Sequence, residues 1–155
     1  MSEQAFPLQE PEEPSISYHY EEVDFSLSDE NAESAWLMDL IEKEGCRLQL
    51  LNYIFCSDEY LHRINLEYLE HDTFTDIITF PYADPPVIEG DIFISVERVA
   101  ENAKAFGVAF EVELARVMAH GVLHLCGYKD KSPEEQSMMR QKEDESLELR
   151  SFRMS

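Results

Sequence analysis

A chain of 155 residues with 44% hydrophobic and 29% charged residues can fold as one domain on its own core, which excludes a need for disulfide or metal staples. Its formal net charge of -21 repels nucleic-acid phosphates at long range, which argues against an autonomous RNA or DNA binder and favours basic partners. Three cysteines without a CxxC pair, no secretory signal pattern and no apolar stretch near the roughly 20 residues of a bilayer span predict a cytoplasmic protein without a membrane partner.

The first half of the chain predicts a tail followed by alternating strands and helices. Residues 1–15 hold three prolines and several glutamates, so we expect a disordered acidic tail ahead of one domain over residues 16–155. Strands are expected where β-branched and aromatic residues concentrate, and helices between capping residues and glycine stops. In chain order the predicted elements are a strand over 16–25, a helix from a cap at Ser28 or Asp29 to Gly45, a strand over 47–55, and a helix from the cap Ser57 to about 69 that buries Leu61, Ile64 and Leu66.

The second half of the chain predicts two strands and three helices. In the last helix a serine cap at Ser132, Pro133 at the first helical position and Glu135 at the third match a helix start. The predicted elements are a strand in TDIITFPY that ends at Pro81, a strand over 91–95, a helix over 97–106 before Gly107, a helix over 110–126 and the helix that starts at Ser132. The complete order, β-α-β-α-β-β-α-α-α, predicts a small α/β or α+β fold with helices packed against the sheet.

The stretch AHGVLHLCGYKDK carries the most informative pattern in the sequence. His120 and His124 lie four residues apart on a predicted helix, so both rings project from one face, one turn apart. Gly127 can take the positive φ that turns the chain back after a helix, and Asp130 then lies on the returning segment. Two imidazoles and a carboxylate leave the fourth tetrahedral position open, as in catalytic zinc sites. We therefore expect His120, His124 and Asp130 to bind one divalent ion, zinc, at the end of a core helix.

Similar ligand sets occur in other metal enzymes. The metzincin proteases use the pattern HExxHxxGxxH, but the residue after the first histidine here is Gly121, so the glutamate that a zinc peptidase uses as general base is absent. Two histidines and a carboxylate also resemble the facial triad of iron oxygenases, although a histidine pair on one helix fits zinc better. Another metallohydrolase therefore remains as an alternative interpretation.

The segment HGVLHLCGYKD resembles the signature HGxLHLxGYDH of the YbeY family of metallo-endoribonucleases. Three further segments agree in order with this family: INLEY at 64–68, DTFTDIITFP at 72–81 and GDIFIS at 90–95. The resemblance covers about residues 16–149, and its histidine segment is highly specific.

The resemblance implies an α+β fold in which a mixed four-stranded sheet is packed with about five helices. It implies zinc-dependent cleavage of single-stranded RNA, in maturation of the 3′ end of small-subunit ribosomal RNA and in ribosome quality control. Ribosomal proteins and an assembly GTPase are the partners that the family implies. The strong acidity keeps one alternative open: a non-catalytic ribosome-assembly factor whose metal only fixes the last helices.

Two positions depart from the family pattern. Asp130 stands where the family usually has a third histidine ligand, and its negative charge predicts a less acidic bound water and a weaker Lewis acid. Leu69 stands where the family motif LNxxYR has a basic residue. The absence of that residue removes a candidate contact to RNA phosphate, which favours the assembly-factor alternative.

The sequence assigns no general base to a cleavage reaction. Water carried by the metal and the ribose 2′-hydroxyl are both candidate nucleophiles. Glu113, seven residues before His120, shares its helix face and is a candidate to orient a ligand or accept a proton, beside the simpler interpretation of a structural glutamate. The remaining residues considered for substrate contact are the strand residues Asp76 and Thr79, the loop lysines Lys129 and Lys131, and the aromatics Tyr18, Tyr20 and Phe25, for which a core position is favoured.

Overall fold

Five helices and one four-stranded sheet make up residues 13–154, the part of the chain that the structure, a computed structural model, describes. The strands are β1 (Ser15–Glu21), β2 (Arg47–Cys56), β3 (Ile77–Pro81) and β4 (Val87–Ser95). The helices are α1 (Glu30–Lys43), α2 (Asp58–Leu69), α3 (Val96–Phe106), α4 (Phe110–Leu125) and α5 (Pro133–Met154). The order of elements is the one predicted from the sequence.

The sheet is mixed, with the strand order β1-β2-β4-β3. Its first three strands run parallel, with Tyr18 opposite Tyr53 and Tyr53 opposite Ile92. β3 pairs antiparallel with β4 and places Thr79 opposite Ile92. The mixed four-stranded sheet is therefore confirmed, and β3 forms the edge beside which the polar face of α4 comes to lie.

The two faces of the sheet bury different helices, because successive side chains of a strand point to opposite sides. On one face Ile92 and Ile94 are fully buried in the main core with residues of α1 and α4. On the other face α2 covers a smaller cluster around Cys56, Leu61 and Ile78. Helices α2 and α4 thus lie on opposite sides of β3 and β4.

The predicted caps are confirmed by side-chain hydrogen bonds. Asp29 Oδ1 accepts from the backbone N of Ala32 at 3.0 Å, and Ser57 Oγ accepts from the N of Tyr60 at 3.0 Å. At the start of α5 Ser132 Oγ accepts from the N of Glu135 at 3.1 Å, and Glu135 Oε1 accepts from the N of Ser132 at 3.0 Å. This reciprocal pair is a capping box, which satisfies backbone donors that the first helical turn leaves without partners.

Two predictions about the first elements are wrong in detail. The first strand ends at Glu21 and not at Phe25, because Glu22 takes a positive φ of 55° and turns the chain. The predicted burial of Leu66 is also wrong, since its side chain is 41% exposed. Helix α2 faces the sheet with Leu61 and Asn65, which lie one turn apart, and this leaves Leu66 on its flank.

Two further predictions concern the start of the chain and the absence of a membrane-spanning segment. The tail predicted over residues 1–15 lies mostly outside the described residues, and it stays a prediction together with the single domain over residues 16–155. Among the helices of residues 13–154, none combines the length and the apolar character needed to cross a bilayer.

Candidate metal centre

Helix α4 packs tightly against the sheet and so holds its polar face in a fixed position. A Cβ atom at Gly121 would lie 2.8 Å from Ile92 Cδ1 and 3.2 Å from Ile77 Cδ1. The helix therefore approaches the sheet closely at the residue after His120. The glutamate of a zinc peptidase would have to occupy this packed position, so the structure agrees with the sequence in disfavouring a peptidase.

The structure brings the three candidate ligands together. The rings of His120 and His124 lie edge to face with centroids 4.5 Å apart. Gly127 takes a positive φ of 109°, and the chain turns back so that Asp130 reaches both rings. Asp130 Oδ2 lies 3.3 Å from His120 Nε2 and 3.2 Å from His124 Nε2. All three ligand atoms lie within 4.8 Å of one another, so the group could hold a metal ion.

The donor set fits a tetrahedral ion. Zinc bonds of about 2.0–2.1 Å at the tetrahedral angle place neighbouring ligand atoms about 3.4 Å apart, close to the two histidine–aspartate distances. His120 Nδ1 lies 2.7 Å from Glu143 Oε2, and His124 Nδ1 lies 2.9 Å from the carbonyl oxygen of Tyr128. Because both partners are acceptors, each Nδ1 is the donor, and in the neutral rings each Nε2 keeps its lone pair for a cation.

Helix α5 supplies the partner that orients His120, and the sequence did not identify it. Glu143 is only 6% exposed, and its second oxygen, Oε1, accepts from Arg116 Nη1 at 3.2 Å. A sequence signal exists, because Glu143 lies four residues from Met139 and from Leu147, both of which pack in the core. A glutamate on the apolar face of a helix indicates a buried partner.

Glu113 lies beside this pair and not against a histidine. It is 3% exposed, and its Oε1 accepts from Arg116 Nε at 3.3 Å. Burial raises the pKa of Glu113, and the Arg116 guanidinium offsets only part of that effect. The ligand-orienting role considered for Glu113 therefore belongs to Glu143, whereas Glu113 remains a buried carboxyl group in the cleft wall.

Nearby carboxylates also change the pKa of His120. Burial lowers its pKa, but the hydrogen bond to Glu143 and the negative charges of Glu143, Asp130 and Asp76 outweigh burial, so the pKa of His120 rises. The site thus favours a positive charge at this imidazole. The same negative charges would stabilise a metal cation bound by His120 Nε2.

A cleft of about 750 Å³ opens over the three candidate ligands. Asp76 and Thr79 line it, as the sequence suggested. Lys129 and Lys131 are exposed and do not line it. The other residues of its wall include Thr75, Ile77, Pro81, Phe106, Glu113, Arg116, Arg140 and Glu143.

The remaining residues considered for RNA contact lie elsewhere. Tyr18, Tyr20 and Phe25 pack around Phe55 with ring centroids 5.6 to 6.4 Å apart, so their predicted core position is confirmed. Leu69 ends α2, on the opposite face of the sheet from α4, and does not line the cleft.

Comparisons with known proteins agree with this architecture. A family model described as Endoribonuclease YbeY matches residues 15–150. A curated Endoribonuclease YbeY of Flavobacterium johnsoniae is 56% identical over 86% of this chain and 96% of its own length. The Endoribonuclease YbeY of Bacteroides thetaiotaomicron is 41% identical over 87% of this chain and 98% of its own length. The solution structure of a Thermotoga maritima protein matches with a TM-score of 0.63 and 26% identity, over 86% of this chain and 88% of that one.

Proposed function

The chain belongs to the Endoribonuclease YbeY family and is an endoribonuclease, and we propose that it cuts single-stranded ribosomal RNA with one zinc ion held by His120, His124 and Asp130. The observation that carries the proposal is the pair of Nε2 atoms that meet one carboxylate oxygen, at 3.3 and 3.2 Å, in the wall of an open cleft. We place the cut in maturation of the 3′ end of small-subunit ribosomal RNA and in ribosome quality control, by the family resemblance.

Different residues of the chain have different roles at such a site. His120, His124 and Asp130 bind the ion, which supplies Lewis-acid polarisation of a phosphoryl oxygen and of water when bound. Glu143 and the carbonyl oxygen of Tyr128 hold the two rings in the tautomer that presents Nε2. Their hydrogen bonds prevent the rings from turning, and this preorganises the site before substrate arrives.

Glu113 is the candidate proton acceptor of the cleft. Its raised pKa brings it closer to neutral pH than an ordinary glutamate, which suits a general base better. Arg116 holds its carboxylate through Nε and so fixes its orientation. The assignment can be tested by the acid limb of the pH–rate profile, which should shift or disappear in Glu113→Gln.

The proposed partners are ribosomal proteins and an assembly GTPase in the cytoplasm. A net charge of -21 fits basic ribosomal proteins, because opposite charges accelerate association and select partners. The same charge favours a second candidate function, a non-catalytic ribosome-assembly factor in which the metal only joins α4 to the start of α5.

Cleavage of a single-stranded ribosomal RNA fragment by the purified protein tests the proposed function. We expect cleavage by the wild type, loss of cleavage with chelator, recovery with zinc, and loss in His124→Ala and in Asp130→Asn. Thermal unfolding of both variants shows whether they remain folded. Metal analysis should find one zinc ion per wild-type chain and none in His124→Ala.

Two outcomes would contradict the proposal. Equal cleavage by wild type and His124→Ala would identify a contaminating nuclease. Stoichiometric zinc without any cleavage would instead support the assembly-factor candidate.

A substrate with a single deoxyribose at the cut position separates the two candidate nucleophiles, the ribose 2′-hydroxyl and water. It blocks attack by the 2′-hydroxyl and leaves attack by water unaffected.

A further inference from the structure

The cleft over the candidate metal ligands has few cations for a polyanionic substrate. Among residues 13–154, four carboxyl groups line it, those of Asp76, Glu113, Asp130 and Glu143, against two guanidinium groups, those of Arg116 and Arg140. RNA affinity depends strongly on cations that contact the phosphates. The two arginines therefore decide where the backbone of an RNA strand can lie.

Arg116 is already engaged by the protein. It donates to Glu113 through Nε at 3.3 Å and to Glu143 through Nη1 at 3.2 Å, and Nη1 lies 3.6 Å from Asp144. Its side chain is only 18% exposed. Arg116 thus neutralises buried carboxylates and has little capacity left for a phosphate.

Arg140 differs from Arg116 in both respects. It lies on α5 three residues before Glu143, lines the cleft and is exposed. Within residues 13–154 its guanidinium makes no hydrogen bond or ion pair. An unpaired guanidinium at the rim of a metal cleft is suited to the geometry and charge of a phosphate.

Phe106 supplies a second kind of contact. It is the last residue of α3, is 63% exposed and lines the same cleft. In the described part of the chain its ring stacks on no other aromatic ring, in contrast to Tyr20 and Phe25, which pack around Phe55. A large exposed aromatic ring in a cleft is available for stacking on an unpaired base.

We propose that Arg140 holds a backbone phosphate of single-stranded RNA and that Phe106 stacks on one of its bases, so that the strand crosses His120, His124 and Asp130. This inference rests on the proposed ribonuclease function and specifies how the substrate is held. Neither contact requires a particular base, because phosphates and base faces are common to every sequence. Arg140 also supplies a cation from α5 in a chain whose α2 ends with Leu69.

Arg140→Gln tests the phosphate contact, with Lys131→Gln as the matched control. Both variants remove one exposed positive charge, but only Arg140 lines the cleft. We expect Arg140→Gln to raise KM for a single-stranded RNA by roughly tenfold, with kcat changed less than twofold. The salt dependence of binding should fall by about 0.7 in logarithmic slope, the contribution of one phosphate contact on a single strand. Lys131→Gln should change neither quantity.

Phe106→Leu tests the stacking contact, because leucine keeps an apolar side chain without an aromatic face. We expect KM to rise by roughly tenfold for every base sequence, and Phe106→Tyr to restore the wild-type value. Tyr68→Leu is the control, since Tyr68 is 65% exposed but does not line the cleft. An equal effect of Tyr68→Leu would show a general surface effect and overturn the assignment.

Binding of a 2′-O-methyl oligonucleotide separates this inference from the proposed reaction. If the wild type binds the oligonucleotide but cuts no RNA, the reaction fails while weaker binding by Arg140→Gln and Phe106→Leu would still support the subsite. If the wild type cuts RNA and both variants bind and cut as well as it does, the subsite is wrong and the reaction stands. If the wild type neither binds nor cuts, both are overturned.

Discussion

Two buried arginine–glutamate clusters involve helix α5, and they differ in how their charges balance. The cleft cluster consists of Arg116, Glu113, Glu143 and His120, beside the candidate metal centre. The junction cluster consists of Arg150, Glu33 and Trp36, where α5 crosses α1. Both clusters are mostly buried, and both use an arginine to bring a glutamate into the protein interior.

The junction cluster is a closed pair. Arg150 donates through Nε to Glu33 Oε1 at 3.1 Å and through Nη2 to Oε2 at 2.8 Å, so both carboxylate oxygens are used. The Trp36 ring covers the guanidinium with its centroid 5.5 Å away, and Trp36 Nε1 donates to the carbonyl oxygen of Ser146 at 2.9 Å. One positive charge meets one negative charge, and nothing remains for another ligand.

In the cleft cluster one arginine serves two glutamates. Arg116 takes one oxygen of Glu113 and one of Glu143, and the second oxygen of Glu143 accepts from His120. With a neutral His120 imidazole the cluster therefore keeps one excess negative charge, and that charge lies behind a candidate metal ligand. The unbalanced stoichiometry, and not the residue types, thus separates a site that can support a cation from a structural ion pair.

The largest expected effect comes from removing each arginine. Arg116→Met removes the guanidinium that pairs with two buried carboxylates, those of Glu113 and Glu143, so we expect the free energy of unfolding to fall by about 3–5 kcal/mol. Arg150→Met removes the partner of one such carboxylate and should cost less. Urea unfolding of both variants measures the difference, and an equal loss in the two would contradict the unequal charge balance.

Replacement of Glu143 or Glu33 by glutamine should separate an effect on zinc binding from an effect on stability. Glu143 accepts from Arg116 and from His120 with different oxygens, whereas the single amide oxygen of glutamine can satisfy only one of them. We expect Glu143→Gln to weaken zinc binding by roughly 10- to 100-fold. Glu33→Gln should lower stability and leave zinc affinity unchanged. Competition with a chelator dye measures both affinities, and a matching loss in Glu33→Gln would remove the distinction.

Loss of the capping box should act on one end of α5 alone. Ser132→Ala removes the acceptor of the Glu135 amide and should lower the free energy of unfolding by about 1 kcal/mol. Hydrogen exchange should accelerate in the first turn of α5, next to Asp130, while amides around Arg150 stay protected. Uniform acceleration along α5 would mean that the two clusters open together.

The smallest expected effect is a pH dependence confined to the cleft cluster. Burial raises the pKa of Glu113, so its contribution to stability is present at low pH and is lost as pH rises through the raised pKa. The Glu113→Gln variant has no carboxyl group to ionise at this position, so it does not lose this stability as pH rises. The difference in unfolding free energy should therefore move in favour of the variant as pH rises between the ordinary and the raised pKa. Unfolding midpoints measured across that interval check the sign, and a difference independent of pH would contradict it.

Local sequence signals predicted the secondary structure well, because they act over a few residues. The caps at Asp29, Ser57 and Ser132 are all confirmed, since each depends on one side chain and a backbone amide three residues later. The strand end at Glu21 was missed, because the apolar residues Val23 and Phe25 pack on the core from a loop as well as they would from a strand.

The candidate ligands were also identified by short-range spacing. His120 and His124 are one helical turn apart, and Gly127 marks the turn that returns Asp130 to them. This spacing does not predict the residues that surround the candidate ligands. Glu143 meets His120 across 23 residues of chain, and Arg140 and Phe106 reach the cleft from two other helices.

The order of the elements and the three candidate ligands could be predicted from the sequence alone, because helical periodicity, capping and turn chemistry act between residues that are close along the chain. The folded structure places Glu143, and not Glu113, against His120, and it places Arg140, and not Lys129 or Lys131, in the wall of the cleft. These pairings depend on how α5 packs against α4. No local signal specifies that packing, because it is set by the burial of apolar surface from the whole fold.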